Sequence, residues 1–168
     1  ERKQVEESLR LSKAQLELAA AATNIGHWDW NLDTNEVYFS PLWKSQFGYE
    51  DHEIPNRFEE WETRLHPDDH SRVMKAIMDY IEGRSPEYDL EFRLRHKDGT
   101  YRWIYTRANG QSDKDGRPYR LFGCHIDVTE RKLMDDRLRE SENRFRDIAH
   151  SMADWIWEVD KDGKYTYV

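Results

Sequence analysis

Two hydrophobic periods divide the chain into elements. At its start Val5, Leu9, Ser12, Leu16 and Ala19 step by four and three, a heptad seam. Such a seam serves a helix lying on its own domain or one pairing with a counterpart in another chain. Alternation in His27-Trp28-Asp29-Trp30-Asn31-Leu32 and then Val37-Tyr38-Phe39 predicts two short strands, turned at Asp33-Thr34-Asn35. Ser40-Pro41 reads as a helix cap followed by proline at the first helical position. A second short helix is expected over Phe58 to Leu65. His66-Pro67-Asp68-Asp69 opens a third, with two carboxylates in the first turn where the helix dipole favours them and a stripe of Val73, Ile77 and Tyr80-Ile81 that ends at Gly83. Three longer strands follow: Tyr88 to Arg95, Tyr101 to Ala108 and Tyr119 to Val128, separated by Lys97-Asp98-Gly99 and Asp113-Lys114-Asp115-Gly116. Two strands, three helices and three strands call for an α+β fold: a five-stranded antiparallel sheet with helices over one face.

The opening words return later. Glu1-Arg2-Lys3 recurs as Glu130-Arg131-Lys132, an offset of 129 that holds ten identities over the remaining 39 positions, among them Trp28/Trp157, Asp33/Asp162 and Tyr38/Tyr167. The seam recurs too, as Met134, Leu138, Ser141, Phe145 and Ile148. The organisation expected is therefore a linker helix at 1–21, a globular domain at 22–128, a second linker helix at 129–150, and the start of a second domain at 151–168. Recurrence in register favours linker helices that pair with their counterparts, making a homodimer through Val5, Leu9 and Leu16.

Composition narrows the class. Only 37% of the chain is hydrophobic and 36% is charged, yet 13% is aromatic, with 7 tryptophans, enough ring area for a small core. No apolar run approaches the ~20 residues of a bilayer span. A net charge of −8 argues against nucleic acid as a partner. One cysteine, Cys124, excludes an internal disulfide and any multi-cysteine metal site. The expectation is a cytoplasmic domain, part of a longer protein.

The order of short motifs resembles the PAS domain, specifically the PAC-containing, PAS_3-like sensory box of bacterial multi-PAS signalling proteins. Its carriers are Trp28-Asp29-Trp30, Trp61 with His66-Pro67-Asp68-Asp69, Glu91-Phe92-Arg93, Lys97-Asp98-Gly99 and Arg102-Trp103-Ile104. Gly116-Arg117-Pro118, Gly123 and the closing Asp127-Val128-Thr129-Glu130-Arg131-Lys132 complete the set. The resemblance implies a sensory or dimerising module upstream of an output domain of histidine kinase or diguanylate cyclase type, in the manner of two-component systems. It implies that the module binds haem, flavin, a small metabolite or nothing.

The residues weigh these options. A cysteine-adduct flavin sensor needs its cysteine in the helical region, whereas Cys124 falls in the last strand, where a small buried hydrophobe is the expected role. His66 and His70, spaced i, i+4, could grip a haem iron or a metal, or simply start a helix. No metal set, phosphate cradle or nucleophilic triad is legible, so no catalysis is expected within this chain. Trp28, Phe39, Trp43, Phe47, Leu90, Phe92, Phe122 and Cys124 are the candidate lining of a ligand pocket, and the same rings could equally fill a core.

The last strand runs into the second linker with almost no slack. Asp127 or Thr129 can cap that helix, and Asp127 with Glu130 fits a capping box. The resemblance implies that this junction is the signal exit, so Asp127, Thr129 and Glu130 are the expected relay. The alternative is a ligand-free module that spaces and dimerises its neighbours.

Overall fold

In a computed structural model that describes residues 2–153, 158–159 and 165–166, each expected element is present at a place its local sequence explains. The chain divides into two compact units, residues 1–129 and 130–168. In the first, helix α1 (Arg2–Thr23) leads into strands β1 (Ile25–Asn31) and β2 (Val37–Phe39). The turn between them is held by Asn31, whose Oδ1 accepts from the backbone N–H groups of Asp33 and Thr34, at 3.0 and 3.1 Å. Helix α2 (Pro41–Gln46) starts as its sequence requires, with Pro41 in its first turn and the Ser40 hydroxyl accepting from the Trp43 N–H at 3.1 Å. That hydroxyl also accepts from the His27 N–H at 3.1 Å, tying the helix start to β1.

A 3₁₀ turn (Asp51–Glu53), not anticipated from the pattern, precedes α3 (Phe58–Glu62) and α4 (Pro67–Ile81). The ring of His66 caps α4 by accepting from the Asp68 N–H at 3.2 Å. Three strands follow: β3 (Tyr88–Arg95), β4 (Tyr101–Ser112) and β5 (Pro118–Asp127).

All pairings are antiparallel, and the sheet order is β2-β1-β5-β4-β3, so the first and last strands lie side by side at its centre. Register fixes which residues share the inner face. Trp28 stands opposite Phe39 on one side and Gly123 on the other; Thr106 opposes His125, and Phe92 opposes Ile104. The helices close over that face and bury Trp43, Phe47, Ile54, Val73, Phe92, Leu94 and Ile104 almost completely. Each such side chain contributes roughly 1.5–3 kcal/mol on leaving water.

Helix α5 (Thr129–Ala153) begins two residues after β5 ends. In the second unit it continues to Ala153, followed by strands β6 (Glu158–Val159) and β7 (Tyr165–Thr166), paired antiparallel. Of the repeat matches, Trp157, Asp162 and Tyr167 lie outside the described residues.

Candidate functional site

Beneath α3 and α4 the inner face of the sheet leaves a cavity of about 30 Å³. Trp28 and Trp30 enter it from β1, Val37 and Phe39 from β2, Phe58 and Trp61 from α3, Ile77 from α4, Tyr88 from β3 and His125 from β5. The rings stack around it. Trp30 lies over Phe58 at 4.6 Å between centroids, and Trp61 meets Phe92 edge-on at 5.9 Å. His125 stands edge-on to Trp28 and Phe92, at 6.0 and 5.5 Å.

His125 is the polar centre of this wall. Its Nδ1 accepts from the Trp43 indole N–H at 2.7 Å, which places the proton of the neutral ring on Nε2. Complete burial pushes its pKa down to about 3, so it stays neutral at physiological pH. Burial likewise pushes the Tyr88 phenol up and keeps it protonated. Trp30 donates to Asn35 Oδ1 at 3.0 Å. Trp28 and Trp61, 9% and 5% exposed, keep their indole N–H groups buried without an acceptor among the described residues.

Of the eight expected lining residues, Trp28 and Phe39 border the cavity, and Trp43, Phe47 and Phe92 lie in the surrounding core. Leu90 packs against that core, partly buried. Phe122 and Cys124 are a correction. Register puts them on the opposite face of the sheet, where Phe122 is 41% exposed and both line a broad hollow with His27, Asp29 and Arg107. The inner positions of β5 belong instead to Leu121, Gly123 and His125, of which Leu121 and His125 are buried side chains. Cys124 is half-buried on that outer face rather than a buried core residue.

Sequence reasoning missed His125, because a histidine between Cys124 and Ile126 does not read as an inward position. The available signal was Gly123. A Cβ there would stand 2.6 Å from Trp28 Cζ2, so the glycine marks the strand positions that face the Trp28 indole.

Haem and flavin do not fit this site. The space is far below the ~300–1,000 Å³ of ordinary ligand pockets. The one histidine in the wall has its Nδ1 engaged by Trp43. His66 and His70 are turned to separate partners, the α4 cap and Glu62 Oε1 at 3.1 Å. Among the described residues, no three histidine, cysteine or carboxylate side chains converge as a metal site, and no helix is long and apolar enough to cross a membrane.

β5 leads from this wall to the junction. Asp127 Oδ1 accepts from the Thr129 N–H at 2.8 Å, and Thr129 Oγ1 accepts from the Trp103 N–H at 2.9 Å. The Val128 N–H donates to the Trp103 carbonyl at 2.8 Å, so both backbone groups of Trp103 are held by the exit segment. The helix begins at Thr129, and the Asp127 carboxylate accepts from that first helical N–H, as the expected cap requires. Glu130 is exposed in the first turn. Val5 and Leu9 stand exposed on α1, as do Met134, Leu138, Phe145 and Ile148 on α5; Leu16 lies on α1.

Residues 36–125 match the profile of a family described as the PAS fold. The chain is 30% identical to the "Probable diguanylate cyclase DgcE" of Escherichia coli over 92% of its length, and 30% identical to the "Sensor protein FixL" of Bradyrhizobium diazoefficiens over 83%. It spans only 14% and 27% of those relatives. Among solved structures, a sensory box histidine kinase/response regulator from Burkholderia thailandensis superposes with a TM-score of 0.67 at 41% identity, covering 79% of this chain and 98% of that one. The N-terminal domain of a diguanylate cyclase with PAS/PAC sensor from Marinobacter aquaeolei gives 0.58 at 25% identity, covering 64% and 98%.

Proposed function

The chain belongs to the PAS fold family, as a sensory domain homologous to those of histidine kinases and diguanylate cyclases, and from this we propose that it senses at the core cavity and signals through Asp127, Val128 and Thr129. One observation carries the reading. A single strand, β5, brings His125 into the cavity wall and, two residues later, Asp127 into the junction with α5. Any change that displaces His125 is felt by the pair that holds Thr129 to Trp103. Because Thr129 is already helical, the displacement passes into α5 without a flexible loop to absorb it.

The output lies elsewhere in the protein, in a domain of kinase or cyclase type, and the protein works in the cytoplasm. The chain dimerises through its linker helices, on the exposed seam of Val5 and Leu9, with Leu16 on the same helix, and on Met134, Leu138 and Phe145 of α5. A second reading, a ligand-free module that dimerises and spaces its neighbours, is favoured by the small cavity.

Output activity of the full-length protein carrying Thr129→Val separates the two. Under the sensory reading the response to stimulus is lost while the folded domain persists. An unchanged response sinks the relay.

A further inference from the structure

We propose that the core cavity is a cofactor-free site for an uncharged, apolar molecule of one or two heavy atoms, the size of dioxygen; the inference rests on reading this cavity as the sensing site. Its surface is almost wholly carbon. Polar atoms of the lining side chains are engaged elsewhere or shut out. His125 Nδ1 is taken by the Trp43 indole, and the Trp30 indole donates to Asn35. The indole nitrogens of Trp28 and Trp61 are buried within the packing and present almost no surface. What faces the space is chiefly ring and aliphatic carbon, from Val37, Phe39 and Ile77 among others.

Such walls sort molecules by polarity. An ordered buried water typically makes about three hydrogen bonds, and apolar cavities therefore stay dry. A charged or strongly polar molecule would leave its hydration behind and gain little in exchange. An apolar molecule sheds water favourably and restores dispersion contacts that the lining lacks across the void. Size sorts further. A volume of about 30 Å³ is roughly the share of one molecule in liquid water, which excludes metabolites and admits a gas. Val37, Phe39, Trp61, Ile77 and Tyr88 are buried, whereas Trp30 and Phe58, stacked at 4.6 Å, are half-buried. The way in therefore passes these two rings. An occupant bears on the His125 ring, and so on the strand that carries Asp127.

The test uses the complete 168-residue chain, isotope-labelled at methyl and amide groups, under pressurised dioxygen, with helium at the same pressure as the reference. Dioxygen is paramagnetic and broadens the resonances it touches. The methyls of Val37 and Ile77, which line the cavity, should broaden several-fold more than those of Val73 and Ile104, which are buried in the core away from it. Val37→Ile adds one methylene and keeps the β-branch that suits a strand; it should fill the space and abolish the excess at Ile77. Ile77→Val removes one methylene and should enlarge the excess at Val37. Equal broadening of all four residues in wild type overturns the site, as does an excess at Ile77 that survives Val37→Ile. Cross-relaxation from a long-lived water to the Val37 and Ile77 methyls overturns its apolar character. A clear excess at the wall with no shift of the Asp127 and Thr129 amides upholds the site and overturns the sensing role of the cavity.

Discussion

The hydroxyl of Thr129 accepts a 2.9 Å hydrogen bond from the backbone N–H of Trp103, 26 residues earlier on the neighbouring strand. A threonine side chain thus finishes the β4–β5 ladder at the point where the chain turns helical. Thr129→Val keeps the shape and removes the acceptor, stranding a partly buried backbone donor. The expected cost is about 1–2 kcal/mol, read as a lowered midpoint in urea unfolding. Thr129→Ser retains the oxygen and should recover most of it. If Val and Ser unfold alike, the hydroxyl contributes nothing and the bond has no part in holding the junction.

Gly123 faces the indole of Trp28 so closely that a methyl group has nowhere to go. A Cβ would lie 2.5 Å from the Arg107 carbonyl oxygen and 2.6 Å from Trp28 Cζ2. Since the first contact is backbone in the sheet, relief requires β4 and β5 to part or Trp28 to leave its place. Gly123→Ala is expected to destabilise by about 1–3 kcal/mol and to alter the near-ultraviolet circular dichroism as the indole moves. Wild-type stability would mean that the strands yield more easily than this packing implies.

That contact also explains what was and was not legible in the sequence. The element order and the sheet with helices over one face followed from period-two runs and from the caps at Ser40 and His66, because those signals are local. The phase of β5 did not follow. Phe122, Cys124 and Ile126 form the more hydrophobic set, and ordinary alternation turns them inward. The inward set contains a glycine and a histidine, and its logic is cross-strand: Gly123 makes room for Trp28, and His125 is accepted into the core because Trp43 donates to it. Neither partner is close in sequence. The cavity was half legible for the same reason, since Trp28 and Phe39 follow from β1 and β2 whereas Trp61 and His125 depend on how distant elements meet. Asp69 is a third instance. In sequence it reads as a carboxylate favoured by the start of α4, and in the fold it also binds α4 to β3.

Asp69 receives the Arg93 side chain at both oxygens, 2.9 and 3.1 Å, and the Arg93 backbone N–H at 3.0 Å. Burial by itself would raise its pKa, but the hydrogen bonds from Arg93 outweigh that and hold it at about 2, against 3.8 for a free carboxyl. A depressed folded-state value stabilises the fold above the unfolded pKa, and the contribution disappears as pH falls through about 2. Asp69→Asn should therefore cost about 2 kcal/mol near neutral pH, with the difference from wild type closing between pH 4 and pH 2. A penalty that stays constant across this range would assign the loss to packing rather than to the ion pair.

His125 acts in a different window. Its folded-state pKa of about 3 lies below the 6.5 of a free imidazole because burial excludes the charged form. The unfolded chain takes up the proton first, so stability is whole above pH 6.5 and drains away as pH falls toward 3. Linkage puts the loss between pH 7 and pH 5 at about 2 kcal/mol from this one residue, well before Asp69 begins to titrate. His125→Asn places an amide oxygen near the position of Nδ1, where it can still accept from Trp43, and removes the titration. The variant should start less stable, because it fills the wall less well, yet lose less on acidification from pH 7 to pH 5. Urea midpoints at the two pH values for both proteins give four numbers, and the prediction concerns their double difference. If wild type and variant lose stability in parallel, His125 is not the group that makes this core sensitive to mild acid, and its burial as a neutral ring must be much less complete than the fold implies.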